Sequence, residues 1–501
     1  MKTIVSASAL AIALMAAGPA LGQHQGHSMP MPAKAKPAKA PVPKAKAKPK
    51  TTRKPVARAR PKPMLKPAAA PADHSQHQMP ATKPTPPPTA VEDHSQHQMP
   101  APAPVPAEPM NHAAMGHDMA GMDHAGMKMS GMGSGTSRLP ASEPMDGLHI
   151  NAGDWMLMAH GYLWGVYSDQ GGPRGDDMAF VQSMGMLTAE RPLGDGARLQ
   201  LKSMFSLEPL MGRRGYPNLF ATGETANGQK LVDRQHPHDL FMELAARVDV
   251  DVAEGTSLFV YGGPVGEPAL GPSAFMHRAS AKWNPDSPIT HHWFDSTHIT
   301  YGVVTAGLSA KRFQLEASAF RGREPDEERW GIESPKLDSW SVRGTWLPTE
   351  NLAIQASYGR LESPEALHPD EDEGRFTASV NYTRGPLAAT VAWSAKNRLP
   401  GETLHAWLGE ATYDLSDRHS VFGRFELTDN DELFDHDDPL GGQTFRIGKG
   451  TLGYAYRLAV EGPVGVAIGG SASLYTKPEA LDAAYGETPV SVLGFVKLTL
   501  E

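Results

Sequence analysis

The chain has 501 residues, with 47 Lys and Arg against 55 Asp and Glu, a formal net charge of -8 and no cysteine. The missing cysteine excludes disulfides, lipidation after a signal and a thiolate zinc centre, and no stretch past the first residues reaches the roughly 18 apolar residues of a spanning helix. Charge is split: residues 1–138 hold 17 Lys and Arg against 6 Asp and Glu, the remainder 30 against 49, which points to two parts with different partners, and nothing in the chain suggests nucleic acid.

In chain order, Lys2, the mostly apolar run Ile4 to Met15 and the small-residue site Ala20-Leu21-Gly22 predict a signal peptide over 1–22. The next segment has no aromatic residue before Trp155 and few branched apolar ones. It has too little surface to bury against chain entropy, so residues 23–150 are expected to form a disordered extension. Residues 33–66 are rich in Pro, Ala, Lys and Arg, which favours an extended spacer. That spacer reads either as a basic arm for anionic envelope polymers or lipid, or as a solvated stalk.

The sequence DHSQHQMPA follows at 73–81 and again at 93–101. A block of Met, His, Gly and Ala then runs to Met132. A polar extension has no core for methionine to fill. Thioether prefers Cu(I) and neutral imidazole suits Cu(II), so these residues read as copper ligands. The candidates are His74, His77, Met79, His94, His97, Met99, His112, Met115, His117, Met119, Met122, His124, Met127, Met129 and Met132. An incidental low-complexity linker is the alternative.

From about Asp154 the pattern changes to period two. Leu352, Ile354, Ala356 and Tyr358 alternate with polar or small residues, as do Phe376, Ala378, Val380 and Tyr382 with Arg375, Thr377, Ser379, Asn381 and Thr383. Short connections (192–196, 253–255, 348–350, 384–386, 415–418, 460–463) alternate with long ones. This predicts an all-β fold over 151–501, an antiparallel transmembrane β-barrel of about 16 strands, with both ends on the periplasmic side of the outer membrane. A closed barrel pairs every backbone group in lipid. Trp155, Trp164, Tyr167, Tyr261, Trp340, Trp346, Tyr413 and Tyr475 are expected in the interfacial girdles, and Arg198, Lys202, Arg375, Arg424 and Glu426 in the lumen. A soluble β-sandwich protein is the competing architecture.

Within the long loops, His236, His238 and Asp239 are expected to meet His277, His291, His292, Asp295 and His298 at the outer mouth, as a metal site, an acid/base pair or a hydrogen-bonded rim. The acidic run 429–438 reads as a solvated loop or a site for a hard cation. No nucleophile-elbow, phosphate-loop or zincin motif occurs.

The stretches Asp73-His74-Ser75, Asp93-His94-Ser95, Met115-Gly116-His117-Asp118-Met119 and Met127-Lys128-Met129, with Met132, carry a resemblance. In them, and in the order signal, Met/His segment and barrel, the chain resembles the copper-resistance outer-membrane protein B family. Residues 150–501 do not match that family's barrel residue by residue; RRGYPNLFATGET and DRQHPHDLFMEL look more like an uncharacterised barrel group. The resemblance implies copper binding or passage at the outer membrane, in company with a periplasmic copper oxidase or efflux components. A general porin with an incidental tail and a barrel-bound hydrolase stand as alternatives.

Overall fold

A computed structural model describes residues 131–144 and 147–500. Strand β1 (Leu148–Ala152) forms a hairpin with the start of β2 (Trp155–Gln170), followed by β3 (Asp177–Pro192) and β4 (Ala197–Phe205). A long loop then holds four short strands, β5 (Tyr216–Pro217), β6 (Glu224–Ala226), β7 (Gln229–Leu231) and β8 (Arg234–Gln235). Next come β9 (Phe241–Ala253), β10 (Thr256–Gly266), β11 (Thr300–Ala310), β12 (Phe313–Phe320), β13 (Ser339–Thr349) and β14 (Leu352–Leu361). The chain finishes with β15 (Asp372–Arg384), β16 (Leu387–Leu399), β17 (Thr403–Asp414), β18 (His419–Asn430), β19 (Phe445–Arg457), β20 (Val464–Thr476) and β21 (Val490–Leu500).

Each large strand from β2 pairs antiparallel with the next, and β21 returns to β2 from Gly161↔Leu500 to Gln170↔Ser491. The sheet is therefore a closed ring of 16 strands, the even number that sequence periodicity indicates. Closure removes the unpaired edges that an open sheet would expose to lipid.

The two faces divide as the alternation requires. Arg375, Thr377, Ser379, Asn381 and Thr383 are buried in the lumen, while Phe376 and Val380 face outward. Leu315, Leu452, Leu474, Val260 and Val391 are among the apolar residues of the outer surface, each at least half exposed. An apolar outside around a polar inside is the reverse of a water-soluble barrel and suits a lipid surround. The molecule is an outer-membrane β-barrel.

The girdle expectation is corrected in part. Tyr167, Trp340, Trp346 and Tyr413 face outward near strand ends, but Trp164, Tyr261 and Tyr475 point inward and are buried. Their ring edges and hydroxyls have lumen partners: Tyr261 donates to Glu243 at 2.7 Å, and Trp164 meets Phe495 edge-on. Proximity to a strand end does not fix a face; parity along the strand does.

The lumen is filled by chain. Residues 267–299, between β10 and β11, are mostly buried and tied to the wall all along their length. Arg278 donates to Glu410 at 2.6 Å and contacts Asp295 at 3.3 Å. Lys449 reaches Asp286 at 3.1 Å, and Lys282 pairs with Asp414 at 2.7 Å, beside the short turn after β17. Ala269 N donates to Ser318 Oγ and Gly271 N to Ser357 Oγ at 2.8 and 2.9 Å. Wall hydroxyls and carboxylates thus satisfy the backbone of an irregular segment at membrane depth.

A second insertion corrects the expected boundary at residue 150. Residues 131–144 lie in the lumen, entering from the short-turn side: Arg138 donates to Ala310 O at 2.8 Å, and Ser142 N to Glu350 O at 2.9 Å. The segment doubles back on itself, with Leu139 N donating to Gly131 O at 2.8 Å. At its tip, Gly135 takes a positive φ of 54° where a Cβ would sit 2.8 Å from Glu267 Cβ. Lys202 donates to Gly135 O at 2.6 Å and Gln314 to Thr136 O at 2.7 Å. The segment has few large apolar side chains, Met132 and the buried Leu139, and its backbone is held by wall donors and acceptors, a source of order that composition does not reveal.

Candidate metal centre

Register builds one side of the site. Strand β2 places Met158, His160 and Tyr162 on its inner face, and β3 places Met184 and Met186 there. Antiparallel pairing sets His160 opposite Met186 and Met186 opposite Met204, so a row of imidazole and two thioethers crosses three strands. His160 Nε2 lies 3.1 Å from Met186 Sδ. Met184, Met186, Met204 and Met242 pack together with Met276 of the inserted loop. Of these, Met184, Met186 and Met276 line a 390 Å³ cavity together with Met132, Met158, His160 and His277. The rings of His160 and His277 are 6.0 Å apart, and His277 Nε2 is buried with no hydrogen-bond partner. Burial, with help from His160 and Lys202, pushes His277 down to about 3, so it is a neutral donor.

The inserted loops supply the other side. The short helix His291–Phe294 and the turn after it bring His291, His292, Asp295 and His298 together. His236 and His238 arrive from the loop before β9. Ring centroids are 5.2 Å apart for His238–His298 and for His291–His298, 5.4 Å for His291–His292, and 6.2 Å from His236 to each of His291 and His292. His238 also lines the methionine cavity, which joins the two groups.

All five rings engage Nδ1 with an oxygen. His236 donates to Pro237 O at 3.0 Å and His298 to Asp295 O at 2.6 Å. His238 pairs with Glu208 at 2.9 Å, His291 with Asp295 at 2.8 Å and His292 with Glu324 at 3.2 Å. An oxygen on Nδ1 fixes the tautomer and leaves Nε2 as the nitrogen offered inward. The Nε2 atoms of His236 and His298 are buried without a hydrogen-bond partner. Among the described residues, no serine or threonine hydroxyl hydrogen-bonds to any of these rings.

Electrostatics differ along the file. Burial, then His291 and His238, hold His298 well below its usual range, and burial also lowers His236. Burial alone would lower His292 too, but Glu324 outweighs it and raises the ring to about 9. Asp239, placed with these histidines by sequence, is pushed up to about 7 by burial and faces Arg329 at 3.7 Å.

The sequence expectation is therefore met for His236, His238, His291, His292, Asp295 and His298, which gather. His277 does not join them; it sits 6.0 Å from His160 in the methionine chamber. Sequence reading missed Met158, His160, Met184, Met186, Met204, Met242 and Met276, although Met184 and Met186 at spacing two on a strand were a usable signal. It also missed Glu224 and Glu324, whose positions are purely tertiary. Of the arm's candidate ligands, His74, His77, Met79, His94, His97, Met99, His112, Met115, His117, Met119, Met122, His124, Met127 and Met129 lie outside the described residues. Met132 is described: it is half-buried, with Gln200 Nε2 at 3.8 Å from its sulfur.

The lumen candidates Lys202, Arg375, Arg424 and Glu426 are all buried inside, and Arg198 pairs with Asp251 at 3.6 Å. In the acidic run, Asp429 pairs with Arg446 at 2.9 Å, and Asp431 and Glu432 pair with Arg398. Those carboxylates are neutralised by arginine, which a calcium site would not be.

No protein-family model matches the chain, and no curated protein does. Among solved structures the chain is similar to Salmonella typhi OmpF in complex with daunomycin, at 9% identity and a TM-score of 0.48, covering 70% of this chain and 100% of that one. It is similar to Pseudomonas putida OprB at 12% identity and a TM-score of 0.43, covering 69% and 94%. It is also similar to the anion-selective porin of Comamonas acidovorans at 11% identity and a TM-score of 0.42, covering 69% and 100%.

Proposed function

We propose that this outer-membrane barrel binds copper through its Met/His-rich periplasmic arm, in copper resistance or efflux. The arm captures the ion and either lowers its free concentration or hands it to the barrel or to a periplasmic copper oxidase or efflux component. One observation carries the reading. Met132, the last methionine of the arm's series, opens onto a lumen cavity that is itself lined by Met158, Met184, Met186, Met276, His160 and His277. The donor chemistry of the arm thus continues inside the barrel, whereas on the wall from β13 to β18 most inward positions are Ser, Thr, Arg or Glu. Thioether and imidazole in a thiol-free exported chain suit Cu(I) and Cu(II). The entry of residues 131–144 from the short-turn side supports a periplasmic arm, since long loops face outward in such barrels.

Replacing the arm's His and Met from His74 to Met129 by serine in the full chain tests this. Titration and elemental analysis should show most bound copper lost, with the barrel still resisting SDS in a heat-modifiability gel. Equal copper uptake by both proteins would contradict the reading.

A further inference from the structure

The structure assigns one more site, inside the lumen and separate from the arm: we propose that Glu224, His236 and His292 bind a single divalent transition-metal ion. The choice of Cu(II) rests on the copper reading above; the site rests on its own geometry. One ligand atom from each of the three residues lies within 4.8 Å of the other two. All three side chains are at least nine-tenths buried.

Two long loops supply the ligands, and a third, between β12 and β13, brings Glu324 and Arg329 behind them. Glu224 sits on β6 of the hairpin Glu224–Ala226/Gln229–Leu231, His236 follows β8, and His292 is in the short helix His291–Phe294. Gly223 has a positive φ of 104°, and a Cβ there would lie 2.8 Å from the His292 ring, so glycine lets the hairpin close on the imidazole.

Each ligand is pre-aimed. His236 gives Nδ1 to Pro237 O, and its Nε2 lies 3.0 Å from Glu224 Oε1 without the alignment of a hydrogen bond. A buried nitrogen left unsatisfied beside a carboxylate costs free energy unless something bridges them. His292 gives Nδ1 to Glu324, the carboxylate–imidazole arrangement that orients metal-bound histidines. Arg329 holds the second oxygen of Glu224 at 3.3 Å, which leaves Oε1 for one-point ligation. Two imidazoles and one carboxylate suit a divalent first-row ion, and Cu(II) binds such donors most tightly in that series. A superficially similar group, Glu365, His368 and Glu432, lacks this character, because Lys396 and Arg398 already pair with its carboxylates.

The test uses the full chain with the arm ligands from His74 to Met129 replaced by serine, titrated with Cu(II). We expect one ion per chain to remain, with an electron paramagnetic resonance spectrum showing nitrogen coupling from two imidazoles. Glu224→Gln, nearly isosteric, and His292→Gln should each weaken binding at least about tenfold, and Glu324→Gln by about 10- to 100-fold through the loss of orientation. Variants are compared only where the heat-modifiability gel shows a folded barrel; if His292→Gln fails that check, Glu224→Gln decides. No retained ion, or an ion whose affinity is unchanged in Glu224→Gln, would overturn the site. The arm reading fails separately, if the unsubstituted arm adds no copper to the ion held in the lumen.

Discussion

Two stretches of the inner wall face the same inserted loops with different chemistry. On β13 to β18 the inward residues include Arg343, Ser357, Arg375, Thr377, Glu410, Arg424 and Glu426, all buried and joined by hydrogen bonds and ion pairs to the loop or to one another. On β2 to β4 and β9 they include Met158, His160, Met184, Met186, Met204 and Met242. The polar side demonstrates that filling this lumen requires no thioether. The methionine side, where register lines up His160, Met186 and Met204, is then better explained by what those atoms bind than by packing alone.

The contrast can be broken first on the polar side. The Glu410 side chain is 1% exposed and pairs with both Arg278 and Arg424. Removing one partner of a buried charge network costs about 3–5 kcal/mol. Glu410→Ala should therefore lower the thermal unfolding midpoint strongly. It should also free residues 267–299 from the wall, so that single-channel conductance in planar bilayers rises; an unchanged conductance would mean the loop is held by its other contacts alone.

The next effect separates the two faces of one strand. Val380 faces lipid, and an arginine at the bilayer midplane costs about 2–4 kcal/mol in such barrels. Val380→Arg should destabilise the protein in urea titrations in lipid vesicles, whereas Ser379→Ala, on the lumen side, should change little. Similar losses for the two would place the apolar band elsewhere.

On the methionine side, Met184→Ser with Met186→Ser should weaken Cu(I) binding to the full chain at least about tenfold, about 1.4 kcal/mol, read by competition with a chromogenic chelator. Ser357→Ala with Thr377→Ala on the polar side serves as the control and should leave Cu(I) affinity unaltered. The smallest effect concerns the segment from the arm. Ser134 Oγ accepts from Ala274 N at 2.8 Å and meets Ser273 Oγ at 3.2 Å. Ser134→Ala should cost about 0.5–1.5 kcal/mol, seen as faster hydrogen exchange over residues 131–144 with the rest of the barrel unaffected.

Much of the barrel was legible in the chain because a strand with one face in lipid and one in a wet lumen must alternate, and turn lengths must alternate with it. The gathering of His236, His238, His291, His292 and His298 was legible as a possibility, since two histidine-rich loops flank neighbouring strands. Three things were not. The inward turn of Trp164, Tyr261 and Tyr475 depends on strand parity, which an aromatic near a strand end does not declare. The ordering of 131–144 depends on donors supplied by Lys202, Gln314 and Arg343 from distant strands. The carboxylates Glu224 and Glu324 become partners of His236 and His292 only when three separate loops meet, a relation with no local trace.

The most direct measurement is X-ray absorption at the copper edge of the purified full chain loaded with Cu(I). Coordination by sulfur and nitrogen together, with the sulfur contribution reduced when the arm's methionines and Met184 and Met186 are replaced by serine, is the predicted result. A chain that retains no copper, or a first shell of oxygen and nitrogen that those substitutions leave untouched, would contradict it.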